Sequence, residues 1–322
     1  MKKHCLLLLM FVLVLTGTSR ATFSIVAADP ATGQVGAAVA SRAFGVGNIV
    51  TWVQGNIGAV CTQCDANRAY GPKGLSLLAE GKSPREVVEF LIGADDGRDV
   101  RQLGIIDSKG NSFGYTGSKA PNWAGVNPGL NVQAQGNTLA GEEVVNAMVT
   151  AYQAASGDMG NKLIAALEAG QAAGGDWRGQ QAAAVVVSGT RPDDYGHYQQ
   201  LYDLRVDDHP HAIAELRRLY RYLRATWSTY GVRREWRKDK NTERAVREVE
   251  AIAAQYPEAA LVHYELACYF SLEGMIDRAV IALGNCLRLH PTYRYGAGND
   301  ENFERMIPEV FKRIESTTAK AP

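Results

Sequence analysis

Ser19-Arg20-Ala21-Thr22-Phe23-Ser24-Ile25-Val26, SRATFSIV, joins an apolar leader to the first β-rich run of the chain. Ahead of it, residues 5–15 (CLLLLMFVLVL) are apolar almost without a break and follow Lys2, Lys3 and His4. The run is short for a membrane span, which needs roughly 20 apolar residues. A basic start, an apolar middle and small residues at Ser19 and Ala21 form the pattern of a secretory signal cut after Ala21. Residues 1–21 are therefore expected to be a signal peptide, and the protein to be exported, periplasmic or secreted. Thr22 then becomes the first residue and carries both a hydroxyl and a free α-amine.

Reading outward from Thr22, residues 22–28 are rich in β-formers and predict a strand. Asp29-Pro30-Ala31-Thr32-Gly33 has the residues of a turn, and QVGAAVAS (34–41) reads as the returning strand. Strands are expected at 49–53 and 57–62, and helices at about 72–80 and 84–93. The second helix has Ser83 as N-cap, Pro84 at its first position and Glu86 three residues after the cap. A hairpin follows at 103–107 and 112–116, then a strand at 130–136, helices at 141–155 and 159–170, and strands at 181–187 and 200–206. Contiguous groups of strands and helices predict an α+β layered domain rather than alternating βα units.

Beyond Asp208-His209-Pro210 everything reads as helix. Asp207, Asp208, His209 and His211 suggest a metal at first sight, but Asp208 as an N-cap with Pro210 at the helix start accounts for them, and no metal or cofactor is expected. Ala245/Ala279, Pro257/Pro291, Arg244/Arg278 and Val246/Val280 each recur at an interval of 34 residues. In residues 263–291, Tyr264, Leu266, Ala267, Gly274, Ala279 and Pro291 resemble the tetratricopeptide repeat pattern. That resemblance implies a stacked helix pair that serves as a packing lid or as a surface for a protein partner. A closing helix is expected at 299–314. The expected organisation is thus a signal peptide (1–21), a layered domain (22–219), a helical tetratricopeptide-like domain (220–316) and a disordered tail (317–322).

The leader holds three of the 34 basic residues and none of the 34 acidic ones, so the remainder is slightly acidic, which argues against a nucleic-acid partner. Four cysteines outside the leader do not make a disulfide scaffold in a chain of this length. Cys61 and Cys64 form one C-x-x-C, open to a small disulfide or to two unlinked thiols.

Seven stretches in order resemble a bacterial family, domain-of-unknown-function family ten twenty-eight. They are TFSIVAADPATGQVGAAVASRAFGVG from Thr22, GAVCTQ (58–63), YGPKGLSLLAEG (70–81), RQLGIIDSKG (101–110), QGNTLAG (135–141), LEAGQAAGGDWRGQQAAA (167–184) and DLRVDDHP (203–210). The resemblance implies the N-terminal-nucleophile hydrolase superfamily, its four-layer αββα sandwich and the first mature residue as nucleophile. In most such relatives a Met precedes the Thr; here the leader would do its job. Proteasome-like members of the superfamily carry an acidic residue before Ser-Arg and a Lys on the next strand. Here Ala40 precedes Ser41-Arg42, and no Lys lies between Thr22 and Lys73.

A threonine hydroxyl is a poor nucleophile without a base. A terminal α-amine, with a pKa near ~8, supplies one within reach of its own side chain. The expectation is an amide hydrolase working through an acyl-Thr22 intermediate on a peptide or an amide-containing small molecule. Gly136 and Asn137 are the first candidates for oxyanion donors. Ser41 and Arg42 are candidates to position substrate, and Asp176 and Arg178 to orient the amine or each other. The alternative is a non-catalytic envelope protein that binds peptide or cell-wall fragments. Homo-oligomerisation is an expectation for such layered domains.

Overall fold

A computed structural model of the chain describes residues 21–189, 200–297 and 313. The predicted signal segment, apart from Ala21, and the tail lie outside the described residues, as does the closing helix apart from Arg313. The chain forms two compact units that divide after Leu216.

The first unit begins with the hairpin that the sequence predicts, β1 (Thr22–Asp29) and β2 (Gln34–Ser41). The Asp29 carboxylate accepts from the Ala31 backbone N–H at 3.0 Å and from the Thr32 hydroxyl at 2.7 Å, while Gly33 takes a φ of +68° and donates to the Asp29 carbonyl at 2.7 Å. Glycine adopts that left-handed conformation without the steric cost of a side chain. This turn fixes a register in which Thr22 lies opposite Ser41. A short α1 (Gly47–Val50) and β3 (Thr51–Gln54) follow, where the sequence predicted one strand, and then β4 (Gly58–Cys64). Next come α2 (Tyr70–Ala79) and α3 (Pro84–Gly93), the latter with both halves of the capping box in place at Ser83 and Glu86. After them lie β5 (Arg101–Asp107), β6 (Ser112–Thr116), β7 (Trp123–Gly129) and β8 (Val132–Leu139). The unit closes with α4 (Glu143–Ala154), α5 (Met159–Ala172), β9 (Ala182–Ser188) and β10 (Gln200–Val206).

The strands make two antiparallel sheets, one in the order β10-β9-β2-β1-β8-β7 and one in the order β3-β4-β5-β6. The sheets face each other through β1 against β4 and β5 against β8; α4 and α5 cover the outside of the larger sheet, and α2 and α3 the outside of the smaller. Strand alternation divides the inner face along its length. At the far end it is apolar, with Val26, Val35, Ala37, Val39 and Ile106 in one cluster. At the Thr22 end it is polar: Ser24, Gln63, Gln102, Gln135 and Asn137 are all buried there.

The second unit is helical. A long α6 (Ala212–Asp239) leads to α7 (Thr242–Gln255), α8 (Ala260–Leu272) and α9 (Ile276–Leu289). Ala245 of α7 and Ala279 of α9, the residues that recur 34 apart, are both fully buried in one core. The expectation of Asp208 as a helix cap is corrected: α6 starts at Ala212, and the Asp208 carboxylate accepts from Gln181 instead, at 3.1 Å. Cys61 and Cys64 are free. Three residues of extended strand separate their Cα atoms by roughly 10 Å, beyond disulfide reach.

Room for the polar inner face comes from glycine. A side chain at Gly104 of β5 would run into the Gln135 amide of β8. Gly104→Ala should therefore destabilise the protein by about 1–3 kcal/mol in urea unfolding, with the m-value unchanged.

Candidate active site

Thr22 sits at the start of β1, flanked in the sheet by Ser41 of β2 and Asn137 of β8, so the three side chains share one face. The Ser41 hydroxyl donates to the Ala21 carbonyl at 2.5 Å, and its oxygen lies 3.1 Å from Thr22 Oγ1. A serine hydroxyl has one proton, so in this pair Thr22 donates and Ser41 accepts. A second donor reaches the same Ala21 carbonyl: Arg178 Nη2, at 3.2 Å.

Arg178 is held by Asp176, a carboxylate that is 2 % exposed. Arg178 Nε donates to Asp176 Oδ1 at 3.1 Å and Nη2 to Oδ2 at 2.9 Å, a two-pronged pair. The backbone N–H groups of Arg178 and Arg42 complete the carboxylate's shell, each at 2.9 Å. Arg42 turns its guanidinium to the Arg178 carbonyl, at 2.6 Å. The loop can return both residues to the sheet because Gly174, Gly175 and Gly179 take φ values of +115°, +54° and +103°. Ser41, Arg42, Asp176 and Arg178 are thus one assembly around the peptide bond that precedes Thr22.

Gly136 and Asn137, the first candidates for oxyanion donors, are tied into the core by Gln102. Gln102 Nε2 donates to the carbonyls of Gly136, at 2.7 Å, and Gly125, at 3.2 Å. Those acceptors fix the orientation of Gln102, so its Oε1 must face Asn137 and Gln63 and accept from both, at 3.0 and 2.9 Å. One of the two N–H donors of the Asn137 amide is therefore committed within the core. Its Oδ1 is buried and has no hydrogen-bond partner. Gly136 is required by packing, since a Cβ there would collide with Leu139.

The sequence reading missed Gln63. Its Nε2 donates to the Thr22 carbonyl at 3.1 Å, and its Oε1 accepts from Ser24 at 2.5 Å, which in turn accepts from Gln135 at 2.6 Å. The signal was present as glutamines at alternating strand positions, Gln133 and Gln135 followed by Asn137. Two non-glycine residues with positive φ flank the site, Cys64 at +70° and Thr138 at +55°. Thr138 is the extra residue of a β-bulge, because Asn137 pairs with Ala124 while Leu139 pairs with Trp123. A β-branched residue in that conformation is strained.

A cavity of about 600 Å³ opens beside Thr22. Val46, Ile49, Val50 and Pro121 give it an apolar wall, and Asp65 and Arg68 are among the charged groups in its lining. The Asp65 side is braced by Arg101, which donates to the Asp65 carbonyl at 2.6 Å and to the Asp95 carboxylate at 2.9 Å. That Arg101 contact, followed by the Tyr70 hydroxyl, holds the Asp95 carboxyl well below the usual carboxylate range. Cys64 also lines the cavity, and burial raises its thiol pKa, so it is a protonated thiol at neutral pH. Among the described residues no group of three or more His, Cys, Asp or Glu side chains is placed to hold a metal ion. No described helix is long and apolar enough to cross a membrane.

Residues 22–216 match the model of the Family of unknown function (DUF1028). The chain belongs to the DUF1028 family. A crystal structure of protein SPO2555 from Silicibacter pomeroyi, described with the same family, is 34% identical, with a TM-score of 0.57; the match covers 62% of this chain and 84% of that one. No curated protein matches the chain. The DUF1028 match begins at Thr22 and takes in each residue of the Ser41–Asp176–Arg178 assembly.

Two consequences can be measured on the DUF1028 domain. Asp176→Asn leaves Arg178 without its counter-charge and should cost about 3 kcal/mol in urea unfolding, the low end for a broken buried pair because Arg178 keeps 20% exposure. Asp95 has a folded pKa below its unfolded one, so its contribution is complete above pH ~4 and is lost as pH falls through the folded value. In Asp95→Asn, the acid-side loss of thermal stability should be shallower than in the parent.

Proposed function

We propose that the DUF1028 domain is an N-terminal-nucleophile amide hydrolase, exported and activated by cleavage after Ala21. One observation carries this reading: the Ser41 hydroxyl and Arg178 Nη2 converge on the Ala21 carbonyl beside the Thr22 hydroxyl, at the wall of a cavity. Helices, two antiparallel sheets and helices in layers support the superfamily sandwich. The equivalent burial of Ala245 and Ala279 supports a tetratricopeptide-like helical unit.

Cutting the Ala21–Thr22 bond leaves a terminal amine with an ordinary pKa near ~8. The amine takes the Thr22 hydroxyl proton, directly or through one water, and Oγ1 adds to the substrate amide carbon. Ser41 and Arg178, released from the departing Ala21 carbonyl, donate to the new oxyanion. The tetrahedral centre collapses, the C–N bond breaks, and the leaving amine takes the proton held by the α-amine. Water then adds to the acyl-Thr22 ester and gives a proton to the same amine; the C–Oγ1 bond breaks, Oγ1 takes that proton back, and the acid leaves as carboxylate and a proton to solvent. The apolar wall of Val46, Ile49 and Val50 suits a hydrophobic acyl group. This replaces the Gly136/Asn137 oxyanion pair with Ser41/Arg178.

A second reading, a binding protein that uses the cavity without catalysis, is favoured by Ala40 and by the lack of lysine between Thr22 and Lys73. A hydroxyl-directed electrophile separates the two on protein processed to Thr22. Labelling should be lost in Thr22→Ala and slowed about 10²–10³-fold in Ser41→Ala or Arg178→Ala. Labelling that persists in Thr22→Ala, or no labelling of the processed parent, supports the binding reading.

A further inference from the structure

The helical unit holds a second pocket, of about 210 Å³, walled by one face of α6 and one face of α8. Arg233, Trp236 and Arg237 share the α6 face by their three- and four-residue spacing. Arg233 is committed: its Nε donates to Glu265 Oε2 at 3.2 Å, and Nη2 contacts Oε1. Glu265 is almost fully buried and the Arg233 charge offsets its own, with Oε2 hydrogen-bonded and Oε1 accepting no hydrogen bond. Among the described residues Arg237 has no ion-pair partner, which leaves the pocket one net positive charge.

The α8 face supplies an unmatched donor. Tyr269 is 2% exposed and lines the pocket, yet its hydroxyl has no hydrogen-bond partner. A buried hydroxyl without a partner is unfavourable, and native proteins keep few of them. Burial raises the Tyr269 pKa, so the group holds its proton and donates; the fields of Arg233, Arg244 and Arg237 all act on it. Trp236 is fixed beside it, ring centroids 5.7 Å apart, and its indole N–H is spent on Thr242 at 3.2 Å. Cys268 and Leu272 complete an apolar side.

We propose that this pocket binds a monocarboxylate carrying a short apolar substituent. Arg237 and the Tyr269 hydroxyl hold the carboxylate, and Trp236, Cys268 and Leu272 contact the substituent. One net charge matches a carboxylate rather than a dianionic phosphate. The carboxylate is either that of a free small acid or the C-terminus of a peptide with an apolar last residue. Binding here does not depend on Thr22.

The test is a titration of the full ¹⁵N-labelled protein, following the indole N–H signals. The Trp236 signal is identified by its loss in Trp236→Phe. The probes are 4-methylpentanoate, N-acetyl-alanyl-leucine and, as the neutral control, N-acetyl-alanyl-leucinamide. Expected is a saturable shift of the Trp236 signal with one or both acids and none with the amide. A response to 4-methylpentanoate alone identifies a small acid as ligand, and a response to the acetylated dipeptide identifies a peptide terminus. Arg237→Gln, at an exposed position, and Tyr269→Phe should each weaken binding by roughly tenfold, as loss of a charge-assisted hydrogen bond does. Thr22→Ala should bind like the parent. No saturable shift with either acid, an equal shift with the amide, or unchanged affinity in Arg237→Gln overturns the proposal.

Discussion

The register of β1 between β2 and β8 is the constraint on which the site depends. Because β1 lies inside the larger sheet, its first residue is gripped from both sides, by Ser41 and by Asn137. A slip of one residue would turn Thr22 from the inner face to the helix-covered face and bring Phe23 inward. The Asp29–Gly33 turn sets that register from one end, and the hydrogen bonds to the Ala21 carbonyl secure the other. The proposed terminal nucleophile would need this arrangement, since a strand end left loose would carry its reactive atoms with it.

The same constraint explains the polar inner face. A hydroxyl, a peptide bond and a cavity at the end of a buried strand cannot be surrounded by hydrocarbon alone, because each polar group removed from water needs a partner. Gln63, Gln102 and Gln135 provide partners from both sheets, and Gly104 gives Gln135 the space to do so. Arg178 is placed by an equally local device, a glycine-rich loop and a buried carboxylate. The network therefore both stabilises the sandwich and aims its donors.

Much of the first unit was legible in the sequence because it rests on local chemistry. Asp29 through Gly33 spells its turn, Ser83-Pro84 and Glu86 spell a helix start, and the apolar run within 181–187 spells a buried strand. β7 was not legible: Pro128 and three of its neighbouring positions break the alternation that marks a strand, and the segment is tolerated because β7 is the sheet edge. α1 and β3 merged into one expected strand, since four residues are too few to show a helical period. At the site, Thr22, Ser41 and Arg178 could be named from the sequence, but the direction of the Asn137 amide could not. That direction depends on Gln102, which is distant in sequence and adjacent only across the sheets.

The mass of the N-terminal peptide of the mature chain tests most directly the proposal that Thr22 is the first residue of the working protein. If Thr22 is the nucleophile, that peptide begins with an unblocked Thr22. A mature chain that retains Ala21, or begins beyond Thr22, contradicts it, because no amine would then stand beside the hydroxyl that Ser41 accepts from.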